Sequence, residues 1–580
     1  MNPAFKKHLS SYSPFFVGLL LCFLGLILFG STFDNEFCSD DLKIIVANPS
    51  IRNLNDIPRI WRAFNTRALT GWTFAFNYQM HRLQTVGYHL VNFLIHVAVS
   101  FLVYVLAVMI FRTPRLRTSA LAVRSGPIAL TAAMVYLLHP LQTQVVHLIT
   151  QRATSLAVLF YLTAMIGYIR YRLQLGSWYY FAALLAMLFG VFTKEIIVTL
   201  PLMLTMGEYF FFAYDRRDWR QTIPRLIPFY LLAVLVQGLI LFEHPDSLFD
   251  LKDQLFGRFF DIRYFWTEIN VLRTCIRMLL LPLHQSHHYD YPLANGPLDG
   301  SVLFSLLVLT AVIGFAFIQF RSRRILTFCV VWISISLLPQ ILFVCFTNTT
   351  LLHDHWLYLG MVGYAIFLPS AAYYFFRDDK MLIAVFILLL VFLALLSYQR
   401  NRVWGSCISL WQDVVMKAPD DYLPYVNLGV AQTHRGEHQK AIEAYQRALD
   451  LYQGWDRKVV AQILVNLSAA FGRQGDYRRE IYFGRQALMR DPDNSQAYSN
   501  LSLAYMIVGD KRKALQFGRK AVALDPDNAD GYNNLGVFYA REGDLLTAAD
   551  YFRQALKADP GHEQARLNYH QALGRFSLSP

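Results

Sequence analysis

The chain has 580 residues, of which 55% are hydrophobic, 15% aromatic and only 16% charged, with a formal net charge of +13. Soluble domains carry roughly 25% charged residues, so an ordinary soluble protein is excluded and a polytopic membrane protein implied. The charge is uneven: from residue 401 onward there are 22 Lys+Arg and 20 Asp+Glu, which leaves +11 of the +13 in the first 400 residues.

Apolar runs near the roughly 17 to 25 residues needed to cross a bilayer begin at about Phe15, Gly87, Pro127, Ala153, Trp178, Ile196, Leu226, Ser301, Ile325, Trp356 and Met381. The sequence therefore predicts about 11 spans within residues 1–400, with long loops at 34–86 and 243–300. The first run is followed by F-G-S-T-F-D-N-E, which lacks a small-x-small cleavage pattern, so it is expected to stay as an anchor. If the runs alternate from a cytoplasmic N-terminus, segments 1–14, 112–126, 170–177, 213–225, 321–324 and 377–380 face inside. These hold 17 Lys+Arg and four acids, against 14 and 16 in the remainder of the first 400 residues. That bias is the positive-inside pattern. Residues 264–283 are apolar but contain Glu268, Arg273 and Arg277, each costing about 2.5 to 3.5 kcal/mol at a helix centre. They are expected to form an interfacial or re-entrant helix on the outer side, and the C-terminal part then emerges opposite the cytoplasm.

That part reads as a repeat array. Asn427-Leu428-Gly429, Asn466-Leu467-Ser468, Asn500-Leu501-Ser502 and Asn534-Leu535-Gly536 recur at spacings of 39, 34 and 34 residues. A 34-residue period is the tetratricopeptide signature of paired helices. Four repeats are predicted at about 422–455, 461–494, 495–528 and 529–562 within a domain 422–580, preceded by a connecting helix in 401–421. In the last unit Tyr532, Leu535, Gly536, Tyr539, Ala548, Phe552, Ala555 and Pro560 occupy the helix-packing and turn positions. The fold class is thus all-α: a helical transmembrane domain followed by an α-solenoid. Such arrays bind peptides or proteins, the alternative being a structural spacer.

The loop after the first run opens F-C-S-D-D-L-K-I-I-V-A-N-P-S-I, with Asp40 and Asp41 adjacent. Other outer boundaries carry H-P-L-Q-T-Q-V-V-H-L-I-T-Q-R at 139–152, T-K-E at 193–195, H-Q-S-H-H-Y-D-Y-P at 284–292, H-D-H-W-L-Y at 353–358 and Y-Q-R-N-R at 398–402. Ionisable residues at membrane boundaries are functional candidates, Arg152, Lys194 and Arg400 among them. A carboxylate takes a hydroxyl proton, and guanidinium or ammonium groups neutralise a lipid phosphate. The combination suits group transfer from a lipid phosphate to an alcohol. A solvated loop or a helix N-cap is the alternative for the acid pair. His284, His287, His288 and Asp290, or His353, Asp354 and His355, make a divalent metal a candidate cofactor, although no spacing matches a standard zinc site. Cys38, Cys275 and Cys407 lie near the outer side, with no pairing specified. Neither a phosphate-binding P-loop nor a dinucleotide fingerprint occurs, and the nearly neutral array gives no sign of nucleic-acid binding.

Several segments in order carry a family resemblance: D-D-x6-N-P at 40–49, F-A-F-N-Y at 74–78, G-Y-H-L-V-N-F-L-I-H at 87–96, H-P-L-Q-T-Q-V-V-H-L-I-T-Q-R-A at 139–153, K-E-I-I-V-T-L-P at 194–201, L-L-P-L-x-Q at 280–285, Y-D-Y-P at 289–292 and Y-Q-R-N-x-V-W at 398–404. The chain resembles the TMTC-type O-mannosyltransferases of the GT-C superfamily, in their prokaryotic branch, over nearly its whole length. The resemblance implies transfer of a hexose, mannose above all, from a polyprenyl-phosphate sugar to Ser or Thr hydroxyls of exported proteins, with the repeats holding acceptor or partner. It implies Asp40 or Asp41 as catalytic base, Arg152 and Lys194 at the donor phosphate, and His139 and Gln142 at the sugar. Glu195, His355 and Arg400 complete the expected donor-binding set. Where relatives often show E-R-Y-L-Y, this chain has H-D-H-W-L-Y, so a clamping arginine is missing and His355 is its candidate replacement. A surface glycan or lipid as acceptor, and a non-enzymatic membrane-anchored scaffold, remain the rival readings. The expected setting is a bacterial inner membrane, with the N-terminus cytoplasmic and the repeats periplasmic or extracellular.

Overall fold

The computed structural model describes residues 12–213, 215–243, 261–347, 351–376 and 378–576. The basic N-terminal residues 1–11 and the opening of the 243–300 loop, residues 244–260, lie outside the described residues. Among the described residues there is no strand, and the chain divides into two compact units: Met1–Val46 with Asn53–Ser406, and Ala47–Arg52 with Cys407–Pro580.

The first unit contains α1 (Pro14–Phe29), α2 (Ile57–Phe64), α3 (Ala68–His81), α4 (Thr85–Phe111), α5 (Ser125–Leu138), α6 (Arg152–Arg172), α7 (Trp178–Val191), α8 (Leu200–Gly207), α9 (Arg216–Glu243), α10 (Ile262–Leu280), α11 (Gly300–Gln319), α12 (Arg324–Thr347), α13 (Leu357–Phe375) and α14 (Asp379–Val403). All eleven apolar runs fall on helices. Among the described residues, eight helical segments are long and apolar enough to cross a membrane. Two more, Ala122–Leu138 and Trp178–Val191, are apolar but shorter. The eleventh, α9, starts on R-R-D-W-R-Q-T and contains Pro224 and Pro228.

Burial sorts these helices into centre and periphery: 83% of the apolar window in Ile149–Arg172 is buried, against 11% in Gly300–Gln319. Apolar packing alone does not hold helices together in lipid, where tails are as apolar as leucine. Buried polar contacts also join them here. His96 on α4 shares a hydrogen bond with the Tyr358 hydroxyl on α13 (2.9 Å), and Tyr136 on α5 donates to Tyr358 O (3.1 Å). Trp332 on α12 donates to Leu359 O (2.9 Å), and Ser397 on α14 to Leu138 O (2.7 Å). The charged helix α10 buries Glu268 and Asn270. Its polar side is bonded to α11, through Asn270 Nδ2 to Ser301 Oγ (2.9 Å) and Arg273 Nε to Ser305 Oγ (2.8 Å).

In the second unit α15 (Cys407–Lys417) precedes four helix pairs: α16 (Tyr422–His434) and α17 (His438–Leu451), α18 (Arg457–Arg473) and α19 (Tyr477–Arg490), α20 (Ser495–Ile507) and α21 (Lys511–Leu524), α22 (Ala529–Arg541) and α23 (Leu545–Ala558). A final helix, α24 (Glu563–Phe576), follows. The expected connecting helix is therefore shorter than its segment: the last span runs to Val403, the chain breaks, and α15 starts at Cys407. The extra residues after the first repeat lengthen α18 to 17 residues, where α20 and α22 have 13. Local sequence sets the pattern. Asp456, Asp476, Asn494, Asp510, Asn528 and Asp544 each cap a helix with the side chain, satisfying an orphan N–H. Gly436, Gly475, Gly509 and Gly543 turn each pair at φ between +78° and +89°, a region costly to any residue with a Cβ. At the repeat signature, a Cβ on Gly536 would sit 2.5 Å from the Phe552 ring, so glycine lets α22 and α23 close up.

Candidate functional site

The acid pair stands at the end of a sharply bent segment that follows α1. Thr32 caps back to Phe29 O (2.7 Å), and Asn35 Nδ2 donates to Trp404 O (3.1 Å), which fixes where the chain leaves the helix. Ser39 then takes φ +54°, the left-handed region, and shares a hydrogen bond from its hydroxyl with His287 Nε2 (3.0 Å). This kink sends the two carboxylates opposite ways.

Asp41 is 1% exposed. It accepts hydrogen bonds from the backbone N–H groups of Ile149 (3.2 Å) and Thr150 (2.8 Å), in the turn that opens α6. Burial pushes its carboxyl up to about 7, while those N–H groups favour the carboxylate and oppose the shift. Asp40 is exposed. Desolvation by the surrounding protein raises its carboxyl, opposed by the positive charges of Lys43 and Arg67. Asp41 thus anchors the loop, and Asp40 is the exposed carboxylate of the pair.

The raised Asp41 carboxyl has a measurable consequence. The folded chain holds a proton there that the unfolded chain, at the ordinary 3.8, releases. This contribution to stability is fully present below about pH 4 and is lost as pH rises through about 7. Thermal unfolding in detergent across pH 4.5 to 7.5 is expected to show a shallower pH slope for Asp41→Asn than for the wild type.

Arg67 is the centre of the open cluster. Its guanidinium pairs with Glu195 at 3.1 Å, both side chains being nearly half exposed. Its charge also acts on Asp40, Lys194 and His355. Lys194 donates to Thr154 Oγ1 (2.8 Å), and burial together with the Arg67 charge brings its ammonium down to about 7. An anion placed between these cations would hold Lys194 protonated. His355 is buried, with its ring stacked on His353 at 5.1 Å, within electrostatic reach of Lys194 and His287. Gln144 organises this side: its Oε1 accepts from the His355 backbone N–H (2.8 Å), and its Nε2 contacts His287 Nδ1 (3.3 Å). Arg400 is buried with its guanidinium over the Trp404 ring (5.9 Å), and His287 meets the same ring edge to face at 5.4 Å.

The expected set therefore divides. Asp40, Lys194, Glu195 and His355 share one neighbourhood, with Arg400 reaching it through Trp404 and His287. Arg152, His139 and Gln142 lie apart from that neighbourhood, in the buried interior. Arg152 is fully buried and its donors are already engaged: Nε by Asn92 Oδ1 (2.8 Å), Nη1 by Asn77 Oδ1 (2.5 Å) and Thr73 O (3.3 Å), and Nη2 by Tyr88 O (2.9 Å). It fastens α3 and α4 to the start of α6. His139 caps its own turn through Leu141 N–H (3.3 Å) and contacts Leu279 O (3.2 Å). Gln142 is entirely buried. The sequence reading missed Arg67, which sits in the short turn Asn65–Arg67 with no motif around it, and Gln144, which shares its motif with Gln142. Among the described residues the histidines at 284–288 and 353–355 do not bring three ligand atoms within reach of one ion.

The two units define a multi-pass membrane protein that carries a C-terminal tetratricopeptide-repeat domain. Tetratricopeptide-repeat family models match residues 422–492, 465–529 and 509–563. The chain is similar to proteins named as O-mannosyl-transferases of the TMTC type. One is Protein O-mannosyl-transferase F38B6.6 of Caenorhabditis elegans, 24% identical over 462 residues, covering 76% of this chain and 63% of that protein. Another is Protein O-mannosyl-transferase TMTC4 of Mus musculus, 29% identical over 170 residues, covering 27% of this chain and 23% of the relative. The chain thus spans under two thirds of the length of these relatives. Among solved structures, the tetratricopeptide protein YrrB is matched at 16% identity over 27% of this chain and 79% of its own, with a TM-score of 0.22.

Proposed function

We propose that the chain is an integral-membrane glycosyltransferase that moves mannose from a polyprenyl-phosphate sugar to Ser or Thr hydroxyls of exported proteins. Its setting on this reading is a bacterial inner membrane, with the N-terminus cytoplasmic and the site and repeats on the far side. One observation carries the proposal: Asp40 is open within reach of the Arg67 charge, which also acts on Lys194, while its neighbour Asp41 is buried and bound. The names of the similar proteins support the same chemistry.

In this reading Asp40 accepts the acceptor hydroxyl proton as the oxygen bonds to the anomeric carbon. The bond from that carbon to the phosphate oxygen breaks, and polyprenyl phosphate leaves with the electron pair. Lys194 and Arg67 hold the charge that develops on it. Attack opposite the leaving group inverts the anomeric centre. Glu195 keeps Arg67 in place through their ion pair, and His355 flanks Lys194.

The test is direct. The purified protein in detergent or vesicles is given mannosyl-phosphoryl-polyprenol and a Ser/Thr peptide. Mannose is expected on the peptide with inverted anomeric configuration. Absence of transfer, with unchanged intact masses of exported proteins in cells lacking the gene, would overturn the proposal.

A further inference from the structure

The second helices of the repeats differ in charge. Four Lys and Arg residues on α19 and five on α21 stand against one acid, Glu480, which is buried and has its carboxyl pushed up to about 7 by burial. In contrast, α17 has two charges of each sign, and α23 two basic residues and one acid. Ala514, Gly518 and Ala521 bury one side of α21. Arg512, Gln516, Arg519 and Lys520 stand exposed on the other, at the i, i+4, i+7, i+8 spacing of a single helical stripe. That stripe, with Phe517 and Tyr498 of α20, lines a cavity of about 800 Å³ that has no acidic side chain in its wall. The last repeat supplies a comparison. Thirty-four residues on, α23 has Leu546, Asp550 and Arg553 in the places of Arg512, Gln516 and Arg519, and Arg553 is paired with Asp550. On α21, Lys511 and Lys513 are paired with Glu542 and Asp510, and Arg519 donates to the Tyr539 hydroxyl (3.0 Å). Among the described residues Arg512, Arg519 and Lys520 have no such ion pair. The cationic stripe therefore belongs to this repeat and is not a requirement of the repeat architecture.

We infer that this cavity binds an anionic saccharide, whose carboxylate or phosphate groups meet Arg512, Arg519 and Lys520. Guanidinium groups pair with such anions in a two-pronged geometry. Like charges gathered in one cavity repel each other, and a bound anion relieves that repulsion. Gln516 and Tyr498 add the neutral donors and acceptors that sugar hydroxyls need. The Tyr498 and Phe517 rings, 5.4 Å apart, give the carbon face of a sugar an apolar wall. A cavity of this size suits a multi-ring molecule better than a lone phosphate ion. Single-stranded nucleic acid fits less well. Phe517 is packed between Tyr498 and Tyr505 (5.3 Å), so its ring is engaged within the fold and is no stacking platform for bases. The inference stands apart from the transferase reading, since holding a glycan would serve a scaffold as well as an enzyme.

The experiment titrates the full-length protein, in nanodiscs of phosphatidylcholine, with two fluorescent saccharides: hexagalacturonate, which carries carboxylates, and pentamannose phosphate. Neutral maltohexaose is the reference. At least one anionic saccharide is expected to bind at concentrations where maltohexaose does not. Arg512→Gln with Lys520→Gln should weaken that binding about tenfold, the loss expected for two charge-assisted contacts at an exposed site. Arg553→Gln, at the self-paired position of α23, should leave it unchanged. All three positions are exposed, so the variants should keep the wild-type melting temperature. Failure of both anionic saccharides to bind would overturn the inference, as would undiminished binding by the double variant or equal weakening in Arg553→Gln. Inorganic phosphate displacing the saccharide at equal concentration would reduce the cavity to a simple anion site. Tighter binding of a thymidine hexanucleotide, or of vesicles containing phosphatidylglycerol, would assign the stripe to nucleic acid or to lipid. Each of those three results also overturns the saccharide.

Discussion

Asp40→Asn is expected to lower kcat for mannose transfer by about 10²- to 10⁴-fold, the range a positioned general base supplies, with the melting temperature in detergent unchanged. The substitution keeps size and hydrogen-bonding shape and removes only the proton acceptor. Asp40 is exposed, so activity and stability should separate at this position. Asp41→Ala should behave in the opposite way. Its carboxylate is bound to Ile149 and Thr150 N–H and does not face a reactant, so its loss should loosen the loop and cost activity mainly through stability. The pH profile supplies a further check. Rate should rise on the acid side as the Asp40 carboxyl, held above its ordinary value by desolvation, gives up its proton. On the alkaline side it should fall as the Lys194 ammonium, brought down to about 7 by burial and the Arg67 charge, loses its proton. Equal loss of kcat in Asp41→Asn, with unchanged melting, would move the base from Asp40 to its neighbour.

Sequence order revealed the outer frame of this molecule better than its site. The 34-residue spacing was readable as pattern, and the capping Asp and Asn residues and turn glycines that fit it act locally, within one or two helical turns. The apolar runs were equally plain, although Ala122–Leu138 and Trp178–Val191 form shorter helices than their runs suggest. The site depends on contacts that cross large gaps in the chain. The acid pair follows a left-handed residue, Ser39, whose hydroxyl is bonded to a histidine 248 residues away. No periodicity encodes that. Arg67 is invisible for a related reason: α3 carries it to Glu195 by docking Leu69 N–H on Phe192 O (3.0 Å), an encounter 123 residues apart in sequence. Arg152 shows the same limit from the other direction. A basic residue at a membrane boundary is a fair candidate for a lipid phosphate, but its acceptors come from segments 60 to 79 residues earlier.

Those acceptors make Arg152 the position where substitution should damage the fold most. Its side chain lies under α3 and α4, over the Phe74 ring at 4.8 Å, and gives Asn77, Asn92, Thr73 and Tyr88 hydrogen bonds. Arg152→Met keeps much of the volume and leaves those oxygens buried without donors, each worth roughly 1 to 3 kcal/mol. The expected result is a loss of about 3 to 5 kcal/mol, comparable to breaking other buried charged networks, seen as a large drop in melting temperature and early proteolysis at the α3–α4 turn. Transfer activity should fall only with the folded fraction, and KM for the polyprenyl donor should stay constant. Arg152→Lys should not rescue, because one ammonium cannot serve acceptors that the planar guanidinium reaches in three directions. If Arg152 instead held the donor phosphate, lysine would restore part of the activity, and KM for the donor would rise in Arg152→Met at an unchanged melting temperature. The two roles therefore predict opposite outcomes from one pair of variants, and the buried hydrogen bonds favour the fastening role.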